Sequence, residues 1–142
     1  MVLVNAGTAS AAEIVASALQ ANGRALVIGD RTFGKGSVQT LFSPLLQDDY
    51  YIKLTVAQYR SPAGRLFSQG VIPDLAVPPV KGGKMPLGFR EENLSGSLPP
   101  PEAPPAQSEL VTRVASCVAA TKPAADWQLA SAALDCLAAA AP

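Results

Sequence analysis

Ser10 lies in the segment NAGTASAAEI, Asn5 to Ile14, and its residue type and position allow two roles. Ser10 and Glu13 form the S-x-x-E pattern ahead of an apolar run, which is typical of a serine that caps a helix. A serine between a strand and a helix could also attack a carbonyl carbon, because the first N–H groups of a helix stabilise developing negative charge. The pattern alone favours the cap, since capping serines far outnumber nucleophilic ones.

Lys35 is the residue that could act as a base for Ser10. The chain has no histidine, which excludes Ser-His-Asp and Cys-His catalysis and histidine-rich metal sites. A lysine is a general base only when its amine is uncharged, and burial without a counter-ion favours that form. Lys35 lies between Gly34 and Gly36 with no acidic residue within four positions, and Gln39 could orient it from the same strand face. A solvated loop lysine is the alternative that these residues leave open.

The glycine loop that carries Lys35 also approaches the phosphate-binding pattern G-x-x-x-x-G-K-[ST], starting at Gly29. Gly36 occupies the position of the serine or threonine that binds magnesium. A phosphate loop opens a helix, whereas the sequence that follows here, SVQTLF, alternates as a strand does. A degenerate phosphate-binding loop therefore remains only a weaker alternative.

The elements that would position these residues form a βαβ unit. We predict a strand at Val2–Val4, a helix over about Ser10–Ala21 and a strand at Arg24–Gly29, with the two strands parallel. The apolar face of the helix is predicted to comprise Ile14, Val15, Ala18 and Leu19. Two strands of period two follow, SVQTLFSPL and YYIKLTVAQYR, joined around residues 47–49.

The second half of the chain changes in composition. Residues 78–107 are rich in proline and contain Gly82-Gly83, which indicates a linker. Residues 108–142 contain two helical patterns, Ser108–Ala120 and a second one beginning at Asp126, which predict a helical hairpin. Cys117 and Cys136 could form a disulfide or remain two buried thiols, and both alternatives stay open.

The bulk properties restrict the class of protein further. The 142 residues include 11 basic and 11 acidic ones, so the net charge is zero and a nucleic-acid partner is not expected. We expect no cofactor and no metal. No apolar run is long enough to cross a bilayer, and no signal peptide opens the chain. Because Met1 is followed at once by a strand-like segment, we expect this chain to be a fragment of a longer protein.

Several segments together resemble the C-terminal processing peptidases, also called tail-specific proteases. The family typically shows V-N-x-x-S-A-S-A-S-E-I and then G-x-x-T-x-G-K-G-x-x-Q, and this chain has VNAGTASAAEI and GDRTFGKGSVQ at a matching separation. The similarity extends to YYIKLTVAQYRSPAGR, GVIPDLAV and DWQLASAALDCL. It implies an α/β, ClpP/crotonase-like partial catalytic domain over residues 1–77, made of the βαβ unit and antiparallel strands, followed by the linker 78–107 and the helical hairpin 108–142.

The resemblance also implies roles for individual residues. Ser10 would be the nucleophile, Lys35 its base and Gln39 the residue that orients the lysine, while the Ala11 N–H, aided by that of Ser10, would bind the oxyanion. Residues Ala6, Thr8 and Ala12 depart from the family pattern, but none of them is a member of the triad.

The resemblance also implies a function and a location for this chain. We expect a serine endopeptidase that cleaves proteins with exposed C-terminal tails, located in the bacterial periplasm or cell envelope, with a homo-oligomer left open. The family's PDZ domain and the N-P-G-G-type loop that supplies a second oxyanion donor are not found in these residues. The chain alone is therefore expected to be inactive or to be one part of the enzyme, and a non-catalytic remnant is the remaining alternative.

Overall fold

The structure is a computed structural model that describes residues 1–43, 51–61, 64, 67–77, 89–97, 109–121 and 126–140. Strands and helices are mixed within it. In chain order the elements are β1 (Val2–Val4), α1 (Ala11–Ala21), β2 (Val27–Gly29), β3 (Ser37–Phe42), β4 (Ile52–Gln58), β5 (Leu75–Ala76), α2 (Glu109–Thr121) and α3 (Asp126–Ala140). Single 3-10 turns lie at Phe67–Gln69 and Glu91–Asn93.

A three-stranded parallel sheet lies beneath the candidate site, with β2 between β1 and β5. Val2 pairs with Val27 and Ile28 pairs with Leu75, so the predicted parallel arrangement of the βαβ unit is confirmed. Val27 and Ile28 are almost fully buried, at 0% and 1% exposure, because the central strand is covered on both faces. The chain leaves the carboxyl end of β1 at Val4 and enters the turn that carries Ser10.

Asp74 connects β5, β2 and α1. Its Oδ2 accepts a hydrogen bond from the Val27 N–H at 2.8 Å, and its Oδ1 accepts one from Gln20 Nε2 at 3.0 Å. The Asp74 N–H in turn donates to the Val27 carbonyl at 2.8 Å. Asp74 in GVIPDLAV thus has a structural role, since it fixes the start of β2 and the C-terminal end of α1 relative to each other.

Replacing Asp74 with asparagine should lower the free energy of unfolding by about 1–3 kcal/mol, because either orientation of the amide places an NH₂ group against a donor. Urea denaturation of the two proteins measures the difference. Asp135→Asn is the matched control, because Asp135 is exposed on α3 and its substitution should change stability by less than about 0.5 kcal/mol. Equal stability of Asp74→Asn and the unmodified protein would contradict this role.

The buried face of α1 differs from the predicted one. The residues buried on this helix are Glu13, Ala16 and Ser17, whereas Val15 is 59% exposed. The physical reason is close packing: Ala16 lies in a core cluster with Val4 and Val27, and its small side chain brings the helix near the sheet. This contact sets the orientation of α1 about its own axis. In that orientation the Glu13 carboxylate points into the interior.

Strands β3 and β4 form a separate antiparallel sheet, with an irregularity in register between Val38 and Gln39. Ile52, Leu54 and Val56 alternate along β4, and each of these side chains is more than half exposed. The turn predicted around residues 47–49 lies outside the described residues.

Helices α2 and α3 pack against each other and against the parallel sheet. Val114 and Val118 of α2 share a core cluster with Ala133 and Cys136 of α3 and with Ile28 of β2. Cys117 and Cys136 form a disulfide with their Cα atoms 5.8 Å apart, so the structure selects one of the two alternatives left open by the sequence. In the part of the chain that the structure describes, no helix combines the length and apolar character needed to span a membrane.

Candidate active site

Ser10 occupies a strained backbone conformation at the N-cap of α1. Its φ of 57° makes it the one non-glycine residue with positive φ in the described part of the chain, and its ψ is −121°. Such a conformation costs about 1–3 kcal/mol and persists where the surrounding structure enforces it, often at a functional site. Ser10 and Glu13 form a capping box at this N-cap, in which Glu13 Oε2 accepts a hydrogen bond from the Ser10 N–H at 2.9 Å. A sharp strand-to-helix turn exposes the nucleophilic serine in α/β-hydrolases.

Local hydrogen bonds between Asn5, Gly7 and Thr8 hold the turn before Ser10. The Thr8 N–H donates to the Asn5 carbonyl at 2.9 Å, and the Asn5 N–H donates to Thr8 Oγ1 at 3.1 Å. The Thr8 carbonyl also accepts a hydrogen bond from the Phe33 N–H at 2.9 Å. The serine turn and the loop that carries Lys35 are thereby joined through their backbones.

Glu13 joins the two loops more directly. Its side chain is fully buried, and its Oε2 accepts hydrogen bonds from the N–H groups of Ser10 and Lys35, each at 2.9 Å. Its Oε1 accepts from the Gly34 N–H at 2.7 Å and from the Thr32 hydroxyl. Because one oxygen contacts both backbone nitrogens, Ser10 and Lys35 are adjacent in space although 25 residues separate them in sequence. Sequence reasoning identified Glu13 only as a capping partner, and its burial is what reveals the larger role.

The N–H groups of Ala11 and Ser10 differ in whether they already donate a hydrogen bond to a described residue. The Ala11 N–H has no hydrogen-bond acceptor among the described residues, and Ala11 is exposed. The Ser10 N–H, by contrast, already donates to Glu13 Oε2. Ala11 is therefore the donor that an oxyanion could reach, whereas the expected help from the Ser10 N–H is not available in this arrangement.

Lys35 lies between Gly34 and Gly36, and a side chain at either position would closely approach the backbone of Ser68. A Cβ on Gly34 would lie 2.8 Å from the Ser68 carbonyl oxygen, and one on Gly36 would lie 3.0 Å from the Ser68 nitrogen. The Lys35 side chain is 38% exposed, and its Nζ lies 3.9 Å from Glu91 Oε2. In the described structure, no hydrogen bond joins Lys35 Nζ to the Ser10 hydroxyl. The loop thus brings Lys35 to the site by its backbone, while its amino group faces an acid.

Gln39 lies on β3 next to the irregularity between Val38 and Gln39 and is exposed. The irregularity interrupts the simple alternation from which a shared face with Lys35 was expected. No hydrogen bond joins Gln39 to Lys35 among the described residues. The orienting role of Gln39 therefore stays a prediction.

The structure contradicts the phosphate-loop alternative. The N–H groups of Gly34 and Lys35, which would face a phosphate, already donate to the Glu13 carboxylate, and the Gly36 N–H donates to the Gly34 carbonyl at 2.8 Å. Strand β3 begins at Ser37, where a phosphate loop would open a helix. Across the described ranges, no group of three or more histidine, cysteine or acidic residues could hold a metal.

The strain at Ser10 leads to a stability prediction. Ser10→Gly should be more stable than Ser10→Ala by about 1 kcal/mol, because both variants lack the hydroxyl but only glycine accepts this φ without strain. Urea denaturation of the two variants compares them directly. A Ser10→Ala variant at least as stable as Ser10→Gly would show that the backbone there is not strained.

The model of peptidase family S41 matches residues 1–77. A carboxyl-terminal-processing protease of Picosynechococcus sp. is 46% identical over 90 residues, covering 63% of this chain and 20% of that protein. One of Synechocystis sp. is 50% identical over 78 residues, covering 54% of this chain and 18% of that protein.

Among solved structures, a photosystem II D1 C-terminal processing protease is 47% identical and covers 54% of this chain and 20% of that chain, with a TM-score of 0.47. The chain thus spans about a fifth of the length of the curated relatives it matches.

Proposed function

The chain belongs to peptidase family S41, and from this premise we propose that it is the catalytic part of a serine endopeptidase that cleaves proteins near their C-termini. The observation that carries the proposal is the buried Glu13 carboxylate, whose Oε2 binds the backbones of both Ser10 and Lys35. This shared contact supports the roles proposed for Ser10 as nucleophile and Lys35 as base, because it holds their backbones adjacent. The relatives named carboxyl-terminal-processing proteases support the choice of substrate class.

The proposed mechanism assigns one task to each group. The Ser10 Oγ attacks the scissile carbonyl carbon while the uncharged Lys35 amine takes the hydroxyl proton. The carbonyl oxygen becomes an oxyanion and accepts a hydrogen bond from the Ala11 N–H. As the C–N bond breaks, Lys35 returns the proton to the leaving amine, and a water molecule then hydrolyses the acyl ester with Lys35 again as base. Gln39 would orient the lysine in this scheme.

The rest of the enzyme would supply what these residues lack. We propose a ClpP/crotonase-like catalytic domain in which an upstream N-P-G-G-type loop adds a second oxyanion donor and a PDZ domain binds the substrate tail. The coverage of about a fifth of the relatives supports such additional parts. Loss of one oxyanion donor typically lowers turnover about a hundredfold or more, so the chain by itself would turn over slowly.

The location proposed is the bacterial periplasm or cell envelope. Disulfides persist in oxidising compartments and are rare in the cytosol, and Cys117 and Cys136 form one here. The relatives include both bacterial and chloroplastic proteases, which supports a compartment outside the cytosol without distinguishing the periplasm from others.

A non-catalytic remnant is the second candidate, and one observation favours it. Lys35 Nζ lies near Glu91 and not in hydrogen-bonding contact with Ser10, so the described arrangement is not itself reactive. A catalytic role requires that this lysine be released.

Proteolysis by the full polypeptide that contains this chain tests the proposal. Incubation with an unstructured protein substrate should yield products cut near the C-terminus, identified by mass spectrometry, and Ser10→Ala should abolish them. Ser116→Ala is the control, because Ser116 is exposed on α2 and its hydroxyl only donates to the Thr112 carbonyl. Cleavage that persists in Ser10→Ala would overturn the proposed function.

A further inference from the structure

Residues 89–97, which we call the clasp, pack on the loop that carries Lys35 although they lie within the range interpreted as a linker. The Arg90 guanidinium donates to the carbonyls of Arg31 and Thr32 and pairs with Asp30 at 3.6 Å. Glu92 pairs with Arg31, and the rings of Phe89 and Phe33 are 6.2 Å apart. The contacts of the clasp thus concentrate on residues 30–37.

Glu91 is the clasp residue that points toward the candidate site. It is 7% exposed, its N–H donates to the Phe33 carbonyl at 3.1 Å, and its Oε1 accepts a hydrogen bond from the Ser37 hydroxyl at 2.6 Å. Its Oε2 is buried without a hydrogen-bond partner among the described residues and lies 3.9 Å from Lys35 Nζ. Among the described residues, the Lys35 amino group is therefore the group that forms an ion pair with this oxygen.

We propose that the clasp is an autoinhibitory contact in which Glu91 holds the amino group of Lys35 away from Ser10. The inference rests on the proposed function, since it concerns the same serine and lysine. A lysine accepts a proton only in its uncharged form, and a neighbouring carboxylate stabilises the charged form of an amine. The contact of the Lys35 amino group with Glu91 thus competes with the contact to Ser10 that a general base needs.

Part of the clasp is held by weak contacts, whereas the Arg90 side chain, which is 11% exposed, donates to two carbonyls. The Arg31 and Glu92 side chains are about one-third exposed, at 32% and 31%, and ion pairs of that kind contribute about 0–1 kcal/mol. Phe89 and Leu94 are 54% and 42% exposed, so the clasp buries little apolar surface. The unpartnered Glu91 oxygen carries a desolvation cost, which release of the clasp would remove. Binding of substrate, or of another part of the enzyme, could therefore displace the clasp.

Two measurements on the full polypeptide test the inference. The first is the rate at which an acylating reagent modifies the Lys35 amine, followed by peptide mass spectrometry with the exposed Lys53 as internal reference. Glu91→Gln keeps the acceptor for Ser37 but removes the ion-pair partner of Lys35, and the released amine should react about two- to fivefold faster. The second is labelling of Ser10 by a fluorophosphonate, which should rise by a similar factor.

A second variant and a control make the result specific. Arg90→Gln removes the pairing with Asp30 and weakens the carbonyl contacts, so it should raise both rates even though Glu91 is intact. Glu91→Asp retains the charge and should stay within about twofold of the unmodified rates. Glu109→Gln, on α2, removes one acidic charge without altering the clasp, and it should change neither rate.

The outcomes separate the inference from the proposed function. An unchanged Lys35 rate in both Glu91→Gln and Arg90→Gln overturns the inference, even if the unmodified protein labels at Ser10. Ser10 labelling that falls in Glu91→Gln also overturns it, because Glu91 would then assist Lys35. If no variant, including the unmodified protein, labels at Ser10, the proposed function fails and the autoinhibitory role fails with it.

Discussion

Glu13→Gln should lower the free energy of unfolding by about 3 kcal/mol or more and should abolish labelling of Ser10 by a serine-directed probe. The carboxylate of Glu13 accepts four hydrogen bonds in a fully buried position. A glutamine side chain has one acceptor oxygen, so its NH₂ group must face two donors that then lose their partner. Each hydrogen bond to a charged group contributes about 1.5–3 kcal/mol, which gives the expected minimum.

The size of this effect matters because a domain is stable by only about 5–15 kcal/mol in total. Stability is measured by urea denaturation, and the site by probe labelling under conditions where the variant is fully folded. Labelling should still be lost there, because the loops carrying Ser10 and Lys35 would no longer be held by one oxygen. Glu109→Gln is the matched control for both readouts. A folded Glu13→Gln protein that labels at the normal rate would show that Glu13 only stabilises the fold.

Lys35→Met should lower kcat for peptide hydrolysis by the full polypeptide about a thousandfold while leaving KM within a fewfold of its normal value. Methionine retains an unbranched side chain but cannot accept a proton, and general-base catalysis typically contributes about 10²–10⁴-fold. The backbone N–H of residue 35, which contacts Glu13, is unaffected by the substitution. Kinetics of the two proteins on one peptide give the comparison.

Lys53→Met controls for the loss of a lysine, since Lys53 is exposed on β4 and contacts no residue of the candidate site. A variant at position 35 with a tenth or more of the normal kcat would mean that another group serves as the base.

The framework of the site was predictable from local sequence signals. The βαβ unit follows from two short apolar runs flanking a capped helical segment, and the structure places β1 and α1 within a residue of the predicted limits. Strand β2 begins at Val27 and not at Arg24, because Val27 is the first of these residues that pairs with β1. Local propensity does not contain that information.

The inward direction of Glu13 was not predictable from periodicity. An acidic residue in the first turn of a helix is usually solvated, and the apolar pattern indicated a different buried face. The carboxylate is stable inside only because Thr32, Gly34 and Lys35, about 20 residues later, turn their donors toward it. Such compensation depends on tertiary structure and leaves no periodic signal in α1.

The contact between Lys35 and Glu91 was also beyond sequence reasoning. The absence of acids near Lys35 in sequence predicted an amine without a counter-ion, but Glu91 approaches it from 56 positions away. The segment that carries Glu91 is short, proline-flanked and without helical or strand periodicity, so no pattern predicts where it packs.

Mapping of a fluorophosphonate adduct is the most direct test that Ser10 and Lys35 act as one unit. The full polypeptide is treated with the probe, digested and sequenced by mass spectrometry, alongside Ser10→Ala and Lys35→Met. We predict a single adduct on Ser10 in the unmodified protein and none in either variant. An adduct on another serine, or one on Ser10 that forms at the normal rate without the Lys35 amine, would contradict the account.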